Sequence, residues 1–200
     1  MLSIAIQAGG ESRRMGRNKA LMPFAGQALI AYLIARLANA GDELFVTANQ
    51  PGLYGFLELP VYPDAIPGKG ALGGLLTALR RAKYPVVAVV ACDMPFASPA
   101  LLQRQYQVLL EEKADVVVPA TAFGLEPLHA LYRIAACLPA VEAAIDSGQL
   151  KLSSWFGQLN VRTLAADEWQ SYDPDGVVFT NLNTPDEFQK AEQYARAHLP

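Results

Sequence analysis

Apolar positions fall into two rhythms along the chain. Short unbroken runs read as buried strands, and longer stretches with apolar residues three or four apart read as helices. The runs are Ile4-Ala5-Ile6, Leu44-Phe45-Val46, Val61-Tyr62, Val86 to Cys92, Val116-Val117-Val118, Val161 to Leu164 and Val177 to Phe179. The longest, Val86 to Cys92, is β-branched and shows no alternation, as expected of a central strand covered on both faces. His129-Ala130-Leu131-Tyr132 reads as a further, alternating strand. Between the runs, Leu29, Leu33, Ile34 and Leu37 keep helical spacing, with Gly41 as the expected stop. Leu75, Leu76, Leu79 and Ala82 keep it too. Ser98-Pro99 is an N-cap followed by a first-turn proline and opens a helix to Glu112, while Ile134 to Ile145 is a helix ending near Gly148. Thr184 and Glu187 have capping-box spacing, with Pro185 at the first position of a terminal helix.

Strands that alternate with helices predict a three-layer α/β domain with a mostly parallel sheet and right-handed crossovers. Residues 1–200 fit a single domain. In such a sheet the turns after the first, third and fourth strands share one edge, where ligands bind.

Composition narrows the function. A formal net charge of −3, from 16 Lys+Arg and 19 Asp+Glu, argues against wholesale binding of nucleic acid. Two cysteines, Cys92 and Cys137, lack metal or disulfide spacing, and Cys92 reads as a core residue. No apolar span reaches membrane length and no basic segment precedes the first strand, so a cytoplasmic protein without a membrane anchor is expected.

The chemistry gathers at strand ends. After Gln7-Ala8, glycines at 9, 10 and 16 give close backbone access, and Arg13, Arg14, Arg17 and Lys19 supply cations, a combination suited to a polyphosphate. Gly10 and Gly16 enclose five residues and Lys19 lies beyond them, so this is not a Walker loop, and no G-x-G-x-x-G is present. Asn49 follows the second strand as a ligand contact or a turn residue. Asp64 opens a second glycine-rich loop running to Gly74, which is a ligand loop or an ordinary connection. Asp93 directly follows the central buried strand, where an acid is costly unless it acts there, and metal coordination is the usual use. His129 is a structural histidine or faces an acceptor, and Trp155-Phe156 reads as packing rather than ring stacking.

Ala8-Gly9-Gly10-x-Ser12-x-Arg14-Met15-Gly16-x-x-Lys19 resembles the signature of the molybdenum cofactor guanylyltransferases. Gln7 and Asn18 stand where that family usually has Leu and Asp. The segments around Asp64, Cys92-Asp93-Met94-Pro95, Gly124 to Tyr132 and Asn181-x-Asn183-Thr184-Pro185 resemble it too, so the likeness runs from residue 4 to about 190. The resemblance implies a three-layer α/β/α, Rossmann-like nucleotidyltransferase fold. It implies transfer of GMP from GTP to the terminal phosphate of molybdopterin, with Mg2+ as cofactor and delivery to molybdoenzymes or other cofactor-biosynthesis proteins. Nucleotide-binding residues would be Gln7, Ala8, Gly9, Gly10, Lys19, Asn49, Asp64 and Asp93. Lys19, Asp93 and Arg14 would be catalytic, with Asp93 on the metal, and Lys151, Asn181 and Asn183 would bind the acceptor. Cytidylyl-transferring relatives usually read Ala-Ala-Gly in the first loop, so Ala8-Gly9-Gly10 favours guanine. Cytidylyl transfer, transfer to a sugar phosphate, and a nucleotide or molybdopterin binder without turnover are the alternatives.

Overall fold

The structure, a computed structural model, describes residues 1–9 and 18–198. Its elements in chain order are β1 (Leu2–Gln7), β2 (Pro23–Phe24), β3 (Gln27–Ala28), α1 (Leu29–Leu37), β4 (Glu43–Thr47), β5 (Val61–Tyr62), α2 (Gly70–Arg81), β6 (Val86–Ala91) and α3 (Pro99–Glu111). They continue with β7 (Val116–Thr121), β8 (Gly124–Leu125), β9 (His129–Arg133), α4 (Ile134–Asp146), β10 (Val161–Leu164), α5 (Ala166–Trp169) and α6 (Pro185–His198). Strands β2 and β3 form a separate small hairpin.

The main sheet runs β10-β7-β9-β6-β1-β4-β5, with β8 added to β7. Strands β4, β5 and β6 run parallel to β1 or its neighbour, and β10 is parallel to β7. Only β9 breaks the pattern within that row, pairing antiparallel with β6 on one side and β7 on the other. The chain rises along β7, turns through β8 and descends as β9, so no crossover helix is needed there.

Parity along the strands explains the layers. Ile4, Ile6, Val86, Ala88 and Val90 enter one core with residues of α1, α3 and α6. Ala5, Val87 and Val89 enter the other with residues of α2 and α4. Every residue of β1 and β6 is buried, the cause of the unalternated apolar sequence of β6. The mostly parallel three-layer architecture expected from the sequence is present. Among the described residues no helix is long and apolar enough to cross a membrane.

Two details differ from the sequence expectation. Val177 to Phe179 is not a strand, because the Asp173 carboxylate accepts hydrogen bonds from the amides of Val177 at 2.8 Å and Val178 at 3.1 Å. That side chain takes the donors a sheet ladder would need. Helix α1 ends at Leu37, short of Gly41, whose role is clearance. A Cβ there would lie 2.7 Å from the Leu2 carbonyl oxygen and 2.8 Å from Ile4 Cγ1.

Because the nearer obstacle is backbone of β1, Gly41→Ala should destabilise the fold by about 1–3 kcal/mol, the usual cost of overpacking. Denaturant unfolding would show it as a lower midpoint; an unchanged midpoint would mean that β1 yields freely.

Candidate functional site

The parallel strands β1, β4, β5, β6 and β7 all end at one edge of the sheet. There the amide of Cys92 donates to the Gln7 carbonyl at 3.0 Å and that of Ala8 to the Thr47 carbonyl at 2.8 Å, carrying the ladders past the strand ends. The turn after β6 then presents Asp93. Lys19 stands in a short 3-10 turn, Lys19–Leu21, capped by the Asn18 side chain, which accepts from the Ala20 amide at 3.1 Å.

The Lys19 ammonium gathers the site. Its Nζ donates to Asp93 Oδ2 at 2.8 Å, to the Leu182 carbonyl at 2.7 Å and to Asn183 Oδ1 at 3.1 Å. Those three bonds use all its donors. The Lys19 and Asp93 side chains are 16% and 25% exposed, so their ion pair is less screened than a surface one. The Leu182 amide returns to the Asp93 carbonyl at 3.0 Å, strapping the segment before α6 onto the turn after β6. Just beyond, Glu187 Oε2 accepts from the amides of Asn183 and Thr184, both at 2.8 Å, and the Glu187 amide donates to Thr184 Oγ1 at 3.2 Å. This is the expected capping box, and it fixes the backbone that carries Asn183.

A second group lies at the start of α2. Asp64 is half-buried, its Oδ1 has no partner among the described residues, and burial raises its carboxyl above the ordinary carboxylate range. A Cβ on Gly73 would come 3.8 Å from Asp64 Oδ2. Asn49 is exposed beside Gly9, where an added Cβ would lie 3.7 Å from Asn49 Nδ2.

Gln7 turns inward. Its Nε2 donates to the Ala71 carbonyl at 3.0 Å, its Oε1 is buried without a described partner, and a Cβ on Gly74 would collide with its carboxamide. Helix α2 can approach β1 only because residue 74 is glycine. The Gln7 side chain is therefore taken up in holding α2 at the edge.

The structure thus brings Lys19, Asp93 and Asn183 into direct contact and sets Ala8, Gly9, Asn49 and Asp64 along the same edge. Asn181 is two residues from Asn183 but donates to the Phe179 carbonyl at 3.2 Å. Lys151 is exposed in the connection after α4, and no hydrogen bond among the described residues joins it to the Lys19 cluster. Gly10 and Arg14 lie outside the described residues. Trp155 and Phe156 are buried against each other and Tyr132, the packing role expected of them. Sequence reasoning missed the Leu182 carbonyl, a backbone atom without a residue signature.

A family model, the MobA-like NTP transferase domain, matches residues 4–163. The chain belongs to this family. A molybdenum cofactor guanylyltransferase of Desulfosudis oleivorans is 33% identical over 96% of this chain and 95% of its own length. The crystal structure of molybdopterin-guanine dinucleotide biosynthesis protein A from Archaeoglobus fulgidus is 27% identical. It covers 98% of this chain and 100% of its own, with a TM-score of 0.88. A cytidylyltransferase from Leptospira borgpetersenii, 10% identical with a TM-score of 0.73 and covering 100% of this chain and 88% of its own, shares the fold. The MobA-like match includes Lys19, Asp64 and Asp93 and ends before Asn183, which the two more similar proteins' coverage reaches.

His129 proves structural. Its Nε2 accepts from the Ser98 amide at 3.3 Å, and its ring meets Phe179 edge-to-face at 5.4 Å. Full burial lowers its pKa to about 4. The unfolded chain therefore binds a proton below about pH 6.5 that the fold refuses until about pH 4. Stability should fall by roughly 2 kcal/mol from pH 7 to pH 5 through this residue. Urea midpoints at both pH values, for the native chain and His129→Gln, measure it; equal pH slopes would refute it.

Proposed function

We propose that the protein transfers GMP from GTP to the terminal phosphate of molybdopterin, forming the guanine dinucleotide and releasing pyrophosphate. The observation that carries this is the Lys19–Asp93–Asn183 cluster at the strand-end edge of a MobA-like chain. The names of the relatives and the Ala8-Gly9-Gly10 reading favour guanine over cytosine.

In this reaction an acceptor phosphate oxygen forms a bond to the α-phosphorus of GTP, and the bond from that phosphorus to the bridging oxygen of pyrophosphate breaks. The nucleophile is already an anion, so the protein needs to neutralise charge and align groups rather than remove a proton. Lys19 supplies a cation for the triphosphate, and a phosphate oxygen would take the place of one of the three acceptors that now hold it. Asp93 suits a magnesium ion: Lys19 takes one of its oxygens, no described residue bonds the other, and Mg2+ commonly uses one or two carboxylates with phosphate oxygens and water. Bound magnesium would supply neutralisation of the phosphate oxygens. In this reading Asp64 would accept from a ribose hydroxyl, and Asn181 and Asn183 would hydrogen-bond the acceptor.

Incubation with GTP, magnesium and molybdopterin should release pyrophosphate; no release with any nucleotide would leave only a binding module. Lys19→Ala should weaken GTP binding about ten- to a hundredfold by calorimetry, the loss expected for a charge-assisted bond of about 1.5–3 kcal/mol. Unchanged affinity would remove Lys19 from the triphosphate. Asp93→Asn should abolish magnesium-dependent turnover with the circular dichroism spectrum preserved, and retained turnover would remove the metal assignment.

A further inference from the structure

Tyr54 is 1% exposed, although it stands on a short 3-10 turn, Pro51–Tyr54, with no counterpart in the sheet or its covering helices. Its hydroxyl lies between two residues that are both distant from it in the chain. Asn18 Nδ2 donates to Tyr54 Oη at 3.0 Å, and Tyr54 Oη donates to the Ala8 carbonyl at 3.4 Å. The orientation of the Asn18 amide is fixed by its other bond. Oδ1 accepts from the Ala20 amide, an obligatory donor, so the atom toward Tyr54 is the nitrogen. The hydroxyl receives one hydrogen bond and passes its own proton on, so the relay has a single direction, from Asn18 through Tyr54 to Ala8.

Ala8 and Asn18 bracket the cationic loop. The same Asn18 caps the turn that presents Lys19, and Ala8 continues β1 into the nucleotide edge. We propose that Tyr54 is a positioning residue for the triphosphate site: its buried hydroxyl clamps Ala8, just past β1, to Asn18 and, through Asn18, sets the Lys19 turn. An asparagine at 18 is required for this polarity. A carboxylate there has no donor and would take the tyrosine proton, withdrawing it from Ala8.

The clamp rests on the nucleotidyl-transfer reading for its purpose, so its test has one readout that needs no substrate. In Tyr54→Phe, deuterium exchange at the Leu21 and Met22 amides should quicken severalfold; these donate to the Asn18 and Lys19 carbonyls at 3.1 and 3.0 Å. In the same variant the Kd and KM for GTP should rise about three- to tenfold, the loss expected of one or two neutral hydrogen bonds, with kcat within about twofold. Asn18→Ser keeps a capping oxygen but cannot reach Tyr54, and should reproduce both changes. The double variant should be no worse than the more affected single one, since both remove the same relay. Unchanged exchange in Tyr54→Phe, a fall in kcat without a rise in KM, or additive effects would overturn the clamp. Should Tyr54→Phe fail to fold, Asn18→Ser decides by the same readouts. A native protein that binds no GTP would strike the transfer reading, while the exchange rates would still decide the clamp.

Discussion

One ammonium group ties together three parts of the chain that are far apart in sequence. Lys19 follows the first strand, Asp93 follows the fourth parallel strand, and Leu182 and Asn183 precede the terminal helix. Placing a cation in a partly enclosed crevice is costly unless each donor is satisfied, and here each is. The arrangement fixes where α6 starts, because Leu182 is bonded at its carbonyl by Lys19 and at its amide by Asp93. The C-terminal segment is thus part of the site, although it lies outside the region that the family model matches.

The sheet makes this geometry possible by giving both its faces to apolar packing and its edge to chemistry. Small residues set the spacing. Gly41 clears the Leu2 carbonyl and Gly74 clears Gln7, so the elements on either side approach β1 closely. Polar groups at the edge then sit at a boundary where burial shifts them. The Asp64 carboxyl is raised by loss of solvent, and the Cys92 thiol, fully buried beside Asp93, is pushed up so far that it behaves as a core residue.

Much of this was legible before any coordinates, and the reasons differ by element. Strand β6 is legible because full burial removes alternation, and the capping box at Thr184 and Glu187 because its two side chains are local to the helix they start. Lys19 and Asp93 stand out in the sequence because glycine-rich, charged turns after apolar runs have few uses, and the structure brings the two side chains into contact. The misreadings share one cause, which is that tertiary contacts leave no local pattern. Val177 to Phe179 is as apolar as a strand, but Asp173 takes its donors. Gly41 looked like a helix stop, but it answers to β1. Gln7 looked like a ligand contact because of its position, yet its side chain is committed to α2. Tyr54 carried no signal, since a lone aromatic in an irregular stretch is indistinguishable from ordinary packing.

The reversed strand β9 has a consequence for how such a domain diversifies. On the β1, β4 and β5 side, each return to the rim passes through a whole covering segment, so altering a turn disturbs the layers beneath it. On the β7 side the rim is a tight hairpin, with Phe123 standing 99% exposed at its tip. Its length and tip can drift without touching either core. One half of the edge is thereby tied to the packed layers, while the other half, at the hairpin tip, stands outside both cores.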